Sequence, residues 1–293
     1  MTAEEQEYIS NFINCGKQFK KAYRILQRFP KQEQKQFLKH LAVCWESILP
    51  YGFVCYMLTK ENTAENHEMA VAVLLSTHRK VKGRYNLILH HVYEILDREP
   101  ENQYAKKIMQ KHHIIKKAYK LLEVYHNDLQ RYSGTPKGKF TEFLIKAKFP
   151  QAYEIFRTLD EEKKENFLKE FLDGWLEMFV PYGFICYVLT RDNSLENQDV
   201  ASYTAMRIPP YFDHTYDLEL HHALEAFRFQ QTAGRRFYFL YIRHQSPFQP
   251  FSREEECRFA DEIMQENPKD ILIRAFIRNR FPEIYHKYHS ERS

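Results

Sequence analysis

A near-duplication of sequence constrains the fold of this chain more than any other feature. Residues 50–70 read PYGFVCYMLTKENTAENHEMA, and residues 181–201 read PYGFICYVLTRDNSLENQDVA, 131 positions later. Several of the differences replace Val by Ile, Met by Val, Lys by Arg and Glu by Asp, which largely preserves bulk and charge at those positions. A segment copied with these properties intact indicates a structural unit that is used twice.

The match extends beyond this segment. Further corresponding elements lie 130 or 131 positions apart: Phe37-Leu38-Lys39 with Phe167-Leu168-Lys169, Trp45 with Trp175, and His90-His91 with His221-His222. Near the end of the chain, IRNRFPEIYHKY at residues 277–288 also resembles IKAKFPQAYEIF at residues 145–156. The sequence therefore predicts two homologous units and the beginning of a third.

The boundaries of the units follow from the same alignment. We place the first helical unit at residues 1–132 and the second at residues 140–270. Between them, residues 133–139 read SGTPKGK, and two glycines and a proline in so short a stretch favour a linker. Residues 271–293 are predicted to form a partial third repeat, or capping helix.

Composition favours helices as the elements within each unit. The chain of 293 residues has only 8 glycines and 12 prolines, and its hydrophobic fraction of 44% is ordinary for a globular protein. Phe37, Leu41 and Ile48 step by multiples of three to four residues, as apolar residues on one helical face do. We therefore predict an all-α fold in which two homologous multi-helix units form a solenoid-like body.

Local signals predict where some helices end and begin. Pro50 is expected to end a helix, because its ring excludes a helical hydrogen bond, and Gly52 is expected to give the following turn its freedom. Asn62 and Glu65 then fit the reciprocal cap of a new helix, and Asn193 repeats this cap in the second copy.

One segment resembles a known repeat family. Residues 90–108 read HHVYEILDREPENQYAKKI, with Glu99-Pro100-Glu101-Asn102 at its centre. This resembles the end of one tetratricopeptide repeat and the start of the next, where such a turn joins two amphipathic helices. The resemblance implies helix pairs stacked side by side and a concave surface that binds a peptide or a protein domain.

Cysteine usage and the absence of targeting signals bear on location. The five cysteines are odd in number and form no C-x-x-C pair, so we expect reduced thiols in a cytoplasmic protein. Cys55 and Cys186 lie among large apolar residues, which favours core packing over catalysis. The longest apolar stretch is short and interrupted by Pro and Gly, and we expect no membrane partner.

A duplicated His-His-x-x-Glu pattern is the one candidate metal site. It comprises His90, His91, Glu94, His221, His222 and Glu225. Residues three and four apart share a helical face, so each copy could ligate a metal, and a metal-dependent helical enzyme is one alternative function. The alternative that we favour is packing between helices at equivalent positions, because duplication alone explains the recurrence.

A lysine-rich segment is the candidate nucleic-acid site. Lys106, Lys107, Lys116 and Lys117 share one predicted helix and could neutralise phosphates. A net charge of +4 is small for a chain of this length, and amphipathic helices commonly carry lysine on their solvated side. We favour the solvated-face interpretation, and binding of nucleic acid is an alternative function.

No known catalytic motif is present, and we assign no catalytic residue and no cofactor. Aromatic residues make up 15% of the chain, and aromatic anchors carry much of the binding energy in protein interfaces. The leading prediction is a non-enzymatic protein–protein interaction module. An immunity or antitoxin-like protein, or a regulator that holds a peptide, would be a specific form of it.

Overall fold

A computed structural model describes most of the chain. The described residues are 1–14, 18–44, 48–77, 81, 83–124, 130, 133–160, 162–164, 166–168, 179–208, 215–244 and 252–289. The predicted core positions Trp45 and Trp175 lie outside these ranges. All regular elements in the described ranges are helices, which confirms the prediction of an all-α fold. None of these helices is long and apolar enough to span a membrane.

The first unit is a succession of short helices with brief connections. They are α1 (Ala3–Asn14), α2 (Phe19–Leu26), α3 (Lys31–Cys44), α4 (Leu49–Lys60), α5 (Ala64–Ser76), α6 (Arg84–Arg98), α7 (Gln103–Met109) and α8 (His112–Val124).

The second unit repeats much of this order. Its described helices are α9 (Pro136–Ile145), α10 (Phe149–Phe156), α11 (Val180–Arg191), α12 (Leu195–Met206), α13 (Thr215–Phe229), α14 (Ala233–Arg243) and α15 (Arg253–Glu266). The chain continues with α16 (Ile271–Arg280) and α17 (Pro282–Lys287). Helices α4, α5 and α6 correspond to α11, α12 and α13. The unit boundaries stay a prediction, as does the solenoid-like course, and the predicted linker overlaps the first turn of α9.

The prediction that Pro50 ends a helix and Gly52 opens a turn is wrong. Pro50 lies in the first turn of α4, and Gly52 lies inside that helix. Pro181 and Gly183 occupy the same places in α11. The first turn of a helix does not use the N–H that proline lacks, so the same residue type that breaks a helix also begins one.

The predicted caps are wrong by one residue. Thr63, and not Asn62, caps α5, and its hydroxyl accepts a hydrogen bond of 3.3 Å from the backbone N–H three residues on. In the second unit Ser194, and not Asn193, caps α12 in the same way. The amides of Asn62 and Asn193 are therefore available for contacts with side chains.

The helix–turn–helix implied by the tetratricopeptide resemblance is confirmed. Helix α6 ends at Arg98, and the side chain of Asn102 caps α7 by accepting a hydrogen bond of 2.9 Å from the N–H of Ala105. The prediction of one continuous lysine-rich helix is wrong, because a turn at Gln110 and Lys111 separates α7 from α8.

The two units meet where α4 packs against α11, with a glycine at each side of the contact. A Cβ atom on Gly52 would collide with Leu218 of α13 and lie 3.3 Å from the hydroxyl of Tyr182. On Gly183 it would collide with Leu87 of α6 and lie 3.1 Å from the hydroxyl of Tyr51. Each contact from one unit has its counterpart from the other, as in a two-fold arrangement.

One hydrophobic core runs through both units. It extends from Ile9 in α1 to Leu218 in α13, with Cys55 and Cys186 buried in it. The predicted core packing of these two thiols is confirmed, and burial raises the pKa of the Cys186 thiol well above its ordinary value. A smaller core lies under α14 to α17 and includes Ile277 and Phe281.

The glycine contact predicts a specific loss of stability. We expect Gly52→Ala to lower the free energy of unfolding by about 1–3 kcal/mol, because the added methyl group overpacks a closed core. Urea unfolding followed by circular dichroism measures this difference. Since Leu218 is the obstructing side chain, Gly52→Ala combined with Leu218→Ala should lose less than the sum of the two single losses.

Gly234 provides the matched control. It lies in the first turn of α14, and a Cβ atom there would meet nothing within 4 Å. We expect Gly234→Ala to leave the free energy of unfolding unchanged or to raise it by up to about 1 kcal/mol, through helix propensity alone. Equal effects of the two alanine substitutions would contradict the close approach of α4 and α11.

Candidate functional site

The duplicated His-His-x-x-Glu residues are all buried, on α6 and α13. In the first unit a chain of hydrogen bonds passes through His91. The hydroxyl of Tyr51 lies 3.1 Å from Nε2 of His91, and Nδ1 of His91 lies 2.8 Å from Nδ1 of His67. Nε2 of His67 lies 2.8 Å from Oδ1 of Asn62. This chain joins α4, α6 and α5 inside the core.

A single assignment of protons satisfies every member of the chain. Asn62 offers an amide oxygen, so His67 donates to it from Nε2 and keeps a lone pair on Nδ1. His91 then donates from Nδ1 to His67 and accepts from Tyr51 at Nε2. Both imidazoles are neutral in this assignment, and the buried hydroxyl has an acceptor.

The second unit carries the same chain with one substitution. The hydroxyl of Tyr182 lies 3.0 Å from Nε2 of His222, and Nδ1 of His222 lies 2.9 Å from Oε1 of Gln198. The amide of Gln198 donates to Oδ1 of Asn193 at 2.8 Å. Gln198 therefore takes the place of His67, accepting with one end and donating with the other.

Burial keeps this chain uncharged. It lowers the pKa of His91 and of His222 to about 3, and it lowers the pKa of His67 well below the ordinary value of 6.5. The pKa of Tyr51 is raised well above 10, again through burial first. At neutral pH these groups hold the fold together as neutral donors and acceptors.

The charged groups near His67 are one carboxylate and two guanidinium groups. The carboxylate of Glu94 lies 3.8 Å from His67 Nε2. It also lies 3.0 Å from Arg98 and 3.1 Å from Arg191, which comes from the second unit. The guanidinium groups help to lower the pKa of His67, after burial and the neighbouring His91.

The first histidine of each pair is an aromatic contact between the units. The ring of His90 stacks on Phe149 of α10 with centroids 4.1 Å apart. The ring of His221 packs on Phe19 of α2 with centroids 4.3 Å apart. Each unit thus inserts an imidazole against the other unit's phenylalanine, which is the reciprocity seen at the glycines.

The arrangement bears on the metal prediction. Within the described ranges, no group of three or more His, Cys, Asp or Glu side chains is placed to hold a metal ion. Both ring nitrogens of His91 and of His222 take part in hydrogen bonds, so a metal would have to displace one of those partners. The packing interpretation accounts for His91 and His222 without a ligand, whereas Nδ1 of His90 is buried with no hydrogen-bond partner among the described residues.

The lysines considered for nucleic-acid binding lie on α7 and α8: Lys106, Lys107, Lys116 and Lys117. Lys106 lies 2.6 Å from the carboxylate of Glu101. Lys117 lies over the ring of Tyr85, 5.1 Å from its centroid. Lys107 and Lys116 are exposed, as the solvated face of an amphipathic helix is expected to be.

A surface that the sequence analysis missed lies on α16 and α17. Helix α16 buries Ile273 and Ile277 in the smaller core, yet its first two residues point away from it. The exposed fractions of Ile271 and Leu272 are 80% and 74%, the largest among the exposed large hydrophobic side chains described. Isolated exposed apolar residues are common, but two adjacent ones beside a pocket are not.

The pocket beside them has a volume of about 180 Å³. Its lining comprises Ile271, Arg274, Ala275, Arg278 and Tyr285. Residues 271, 274, 275 and 278 recur at helical spacing on one side of α16, and Tyr285 of α17 closes one end. We call the surface formed by Ile271, Arg274, Arg278 and Tyr285, with the neighbouring exposed Leu272 at its edge, the outer face.

The outer face carries two uncompensated cations. In the part of the chain that the structure describes, neither Arg274 nor Arg278 has an ion-pair partner. Other cations nearby are paired: Arg253 lies 2.7 Å from Glu283, and Lys287 lies 2.8 Å from Asp261. The two free guanidinium groups lie four residues apart, on the same side of the helix.

The second unit shows what covers the equivalent surface. Aligning residues 277–288 with residues 145–156 places Tyr285 on Tyr153 and Leu272 on Phe140. Tyr153 packs against Tyr187 of α11, with ring centroids 6.0 Å apart. Phe140 is 1% exposed, while Leu272 is 74% exposed. In the described ranges α16 and α17 thus lack the cover that α11 gives to α9 and α10.

The first unit shows the same contact at the equivalent tyrosine. Tyr23 of α2 corresponds to Tyr153 and packs against Tyr56 of α4, with ring centroids 6.0 Å apart. A sequence signal for the outer face existed in the third partial copy. The similarity of residues 277–288 to residues 145–156 predicts a cap, and it also places Tyr285 where a covering helix lies in the full copies.

Comparisons with known proteins provide no further guide to function. The sequence matches no protein-family model and no curated protein, and the structure matches no solved structure.

The buried chain predicts how stability depends on pH. As pH falls below about 6.5, His67 in the unfolded chain gains a proton that the folded chain excludes, so stability falls with pH. We expect His67→Gln to remove one such proton and to reduce the loss by about 1.4 kcal/mol per pH unit once the unfolded histidine is fully protonated. Urea unfolding of both proteins between pH 7.5 and pH 5 measures the difference.

Gln198 makes the glutamine substitution a conservative one. At pH 7.5 we expect His67→Gln to keep most of the stability, since glutamine accepts from His91 and donates to Asn62 as Gln198 does with its own partners. His67→Leu leaves Nδ1 of His91 without an acceptor, although Asn62 keeps its hydrogen bond from Arg98, and should cost about 1–3 kcal/mol. If the His67→Leu and His67→Gln variants had equal free energies of unfolding at pH 7.5, the hydrogen-bonded chain would be contradicted.

Proposed function

We propose that this protein is a non-enzymatic interaction protein that binds a protein or peptide partner through the outer face. The observation that carries the proposal is the exposure of Ile271 and Leu272 beside a pocket. In the two full copies an aromatic helix packs on the tyrosines equivalent to Tyr285, and in the second copy it also packs on Phe140, the equivalent of Leu272.

The energetics of the outer face favour an interface. Burying a side chain such as Ile271 or Leu272 stabilises a complex by about 1.5–3 kcal/mol. This free energy is not gained as long as the side chain stays exposed to water. Arginine and tyrosine, both present here, are among the residues that contribute most to binding in protein interfaces. The outer face therefore combines the apolar centre and the polar rim of an interface.

The remaining features of the chain suit a binding role. The buried histidines are neutral partners in packing, so the most prominent titratable groups of the sequence serve the fold. The tetratricopeptide resemblance at the turn between α6 and α7 supports, by analogy, a repeat body that presents a binding surface. An immunity or antitoxin-like role, or that of a regulator, would need a partner held in this way and no catalysis.

The proposal predicts a partner whose binding depends on the outer face. With the full chain as bait in an extract of its own source organism, we expect a protein that the unaltered chain retains and Leu272→Asp loses. The purified partner should then bind the unaltered chain at least tenfold more tightly than the variant, by calorimetry. Val43→Asp is the matched control, since Val43 is 65% exposed on α3, far along the chain.

Equal binding to both aspartate variants would place the interface elsewhere on the molecule. If the extract held no protein that distinguishes Leu272→Asp from Val43→Asp, the proposed function would be wrong for this surface. Circular dichroism and urea unfolding of both variants show whether the fold is retained, and the exposure of both side chains predicts that it is.

A further inference from the structure

The geometry points to a partner of defined chemistry, and this inference rests on the proposed function. We propose that the outer face binds an acidic amphipathic helix, which inserts an aromatic side chain beside Tyr285 and presents carboxylates to Arg274 and Arg278. The shape of this occupant follows from the two full copies. Its charge follows from what differs in the third.

The two copies specify a helix with an aromatic anchor. In the first, Tyr56 of α4 packs on Tyr23, and in the second, Tyr187 of α11 packs on Tyr153. Tyr285 stands at the equivalent position and lines the open pocket, and its ring also stacks on His289 with centroids 4.0 Å apart. A tyrosine or phenylalanine carried by a helix therefore fits a place that this architecture fills in the same manner twice.

A second anchor lies one turn away. Phe140 of α9 packs against Phe184 of α11, with ring centroids 5.3 Å apart, and Leu272 takes the place of Phe140. Phe184 and Tyr187 are three residues apart on α11, so one helix makes both contacts. We expect the partner helix to carry two large apolar residues three or four positions apart, one for Tyr285 and one for Leu272.

The charge of the partner follows from a difference between the copies. In α9, Glu142 and Lys146 pair with each other on the helix surface. Arg274 and Arg278 occupy the equivalent positions in α16, so an internal ion pair has become two like charges on one face. Like charges at this spacing are mildly destabilising, and carboxylates from a partner would remove that cost and form bidentate pairs.

The same chemistry argues against helix α4 or α11 of a second copy of this chain as the occupant. The helices that cover the equivalent faces, α4 and α11, carry no acidic residue. Their aromatic residues Phe53 and Phe184 are fully buried in the shared core, so they are not available to another molecule. The carboxylates of the occupant therefore have to come from a helix other than α4 and α11.

Phosphate groups would satisfy the two arginines but not the rest of the outer face. Ile271 and Leu272 offer apolar surface with no hydrogen-bonding group, and a nucleic-acid backbone would leave them uncovered or desolvate phosphates against them. An acidic helix covers both kinds of surface at once. Nucleic acid is therefore a competing outcome of the test.

The test is a selection of displayed helical peptides on the full chain, with peptides removed that also bind Leu272→Asp. We expect the selected peptides to carry two large apolar residues three or four positions apart and a net negative charge. Their dissociation constants, measured by fluorescence anisotropy, should rise at least tenfold for the double variant Arg274→Glu/Arg278→Glu. Binding should also weaken with added salt.

The matched control is Lys116→Glu/Lys120→Glu. It reverses the same number of charges at the same spacing on the exposed side of α8, and it should leave the affinity of the selected peptides within a factor of about two. Circular dichroism of both double variants verifies that the fold is retained. The control separates contact with the arginines from an effect of net charge.

Three results would overturn the inference, and they are distinguishable. Peptides that need Leu272 but are neutral or basic, and that ignore the arginine reversal, would remove the acidic partner and leave the proposed function standing. If a single-stranded oligonucleotide bound and lost affinity in the arginine variant alone, the surface would belong to nucleic acid. Failure to select any peptide that depends on Leu272 would count against the proposed function as well.

Discussion

The close approach of α4 and α11 is the constraint on which the rest of the structure depends. Gly52 and Gly183 have no Cβ, so Leu218 and Leu87 lie directly against the backbone of the opposite unit. A helix interior would otherwise favour alanine at both positions by about 1 kcal/mol. The gain that compensates is a core shared by both units, so neither is expected to bury its apolar surface alone.

This contact brings the hydroxyls of Tyr51 and Tyr182 into the core, and the buried polar chains follow from it. A hydroxyl without a partner there would cost a few kcal/mol, so each tyrosine needs an acceptor, which His91 or His222 provides. Each imidazole then needs an acceptor of its own. His67 provides this acceptor in the first unit and Gln198 provides it in the second. Since glutamine does not titrate, what the position needs is a hydrogen-bond acceptor and not an ionisable group.

Much of the fold could be predicted from the sequence. The predicted helix boundaries were wrong where a residue type can take two structural roles. The helical class and the burial of Cys186 follow from composition and from neighbours along the chain. Pro50 was expected to end a helix and begins one, and Asn62 was expected to cap a helix and binds His67. For Asn62 the choice depends on its hydrogen bonds to His67 and to the more distant Arg98. The outer face could not be predicted locally, since Leu272 differs from Phe140 mainly in what lies above it.

The end of a repeat array that served only to close the core would be polar on its outer side. The inner side of α16 and α17 does close a core, because Ile277 and Phe281 are buried in the smaller core. On the other side Ile271 is 80% exposed, and Arg274 and Arg278 face the same pocket. Solubility would be served by replacing the apolar residue, and helix stability by restoring the acidic residue that pairs with lysine in α9. The outer face instead keeps close together an exposed apolar residue and two arginines that are unpaired within the described part of the chain. This combination is expected if the surface binds a ligand that carries an apolar anchor and carboxylates.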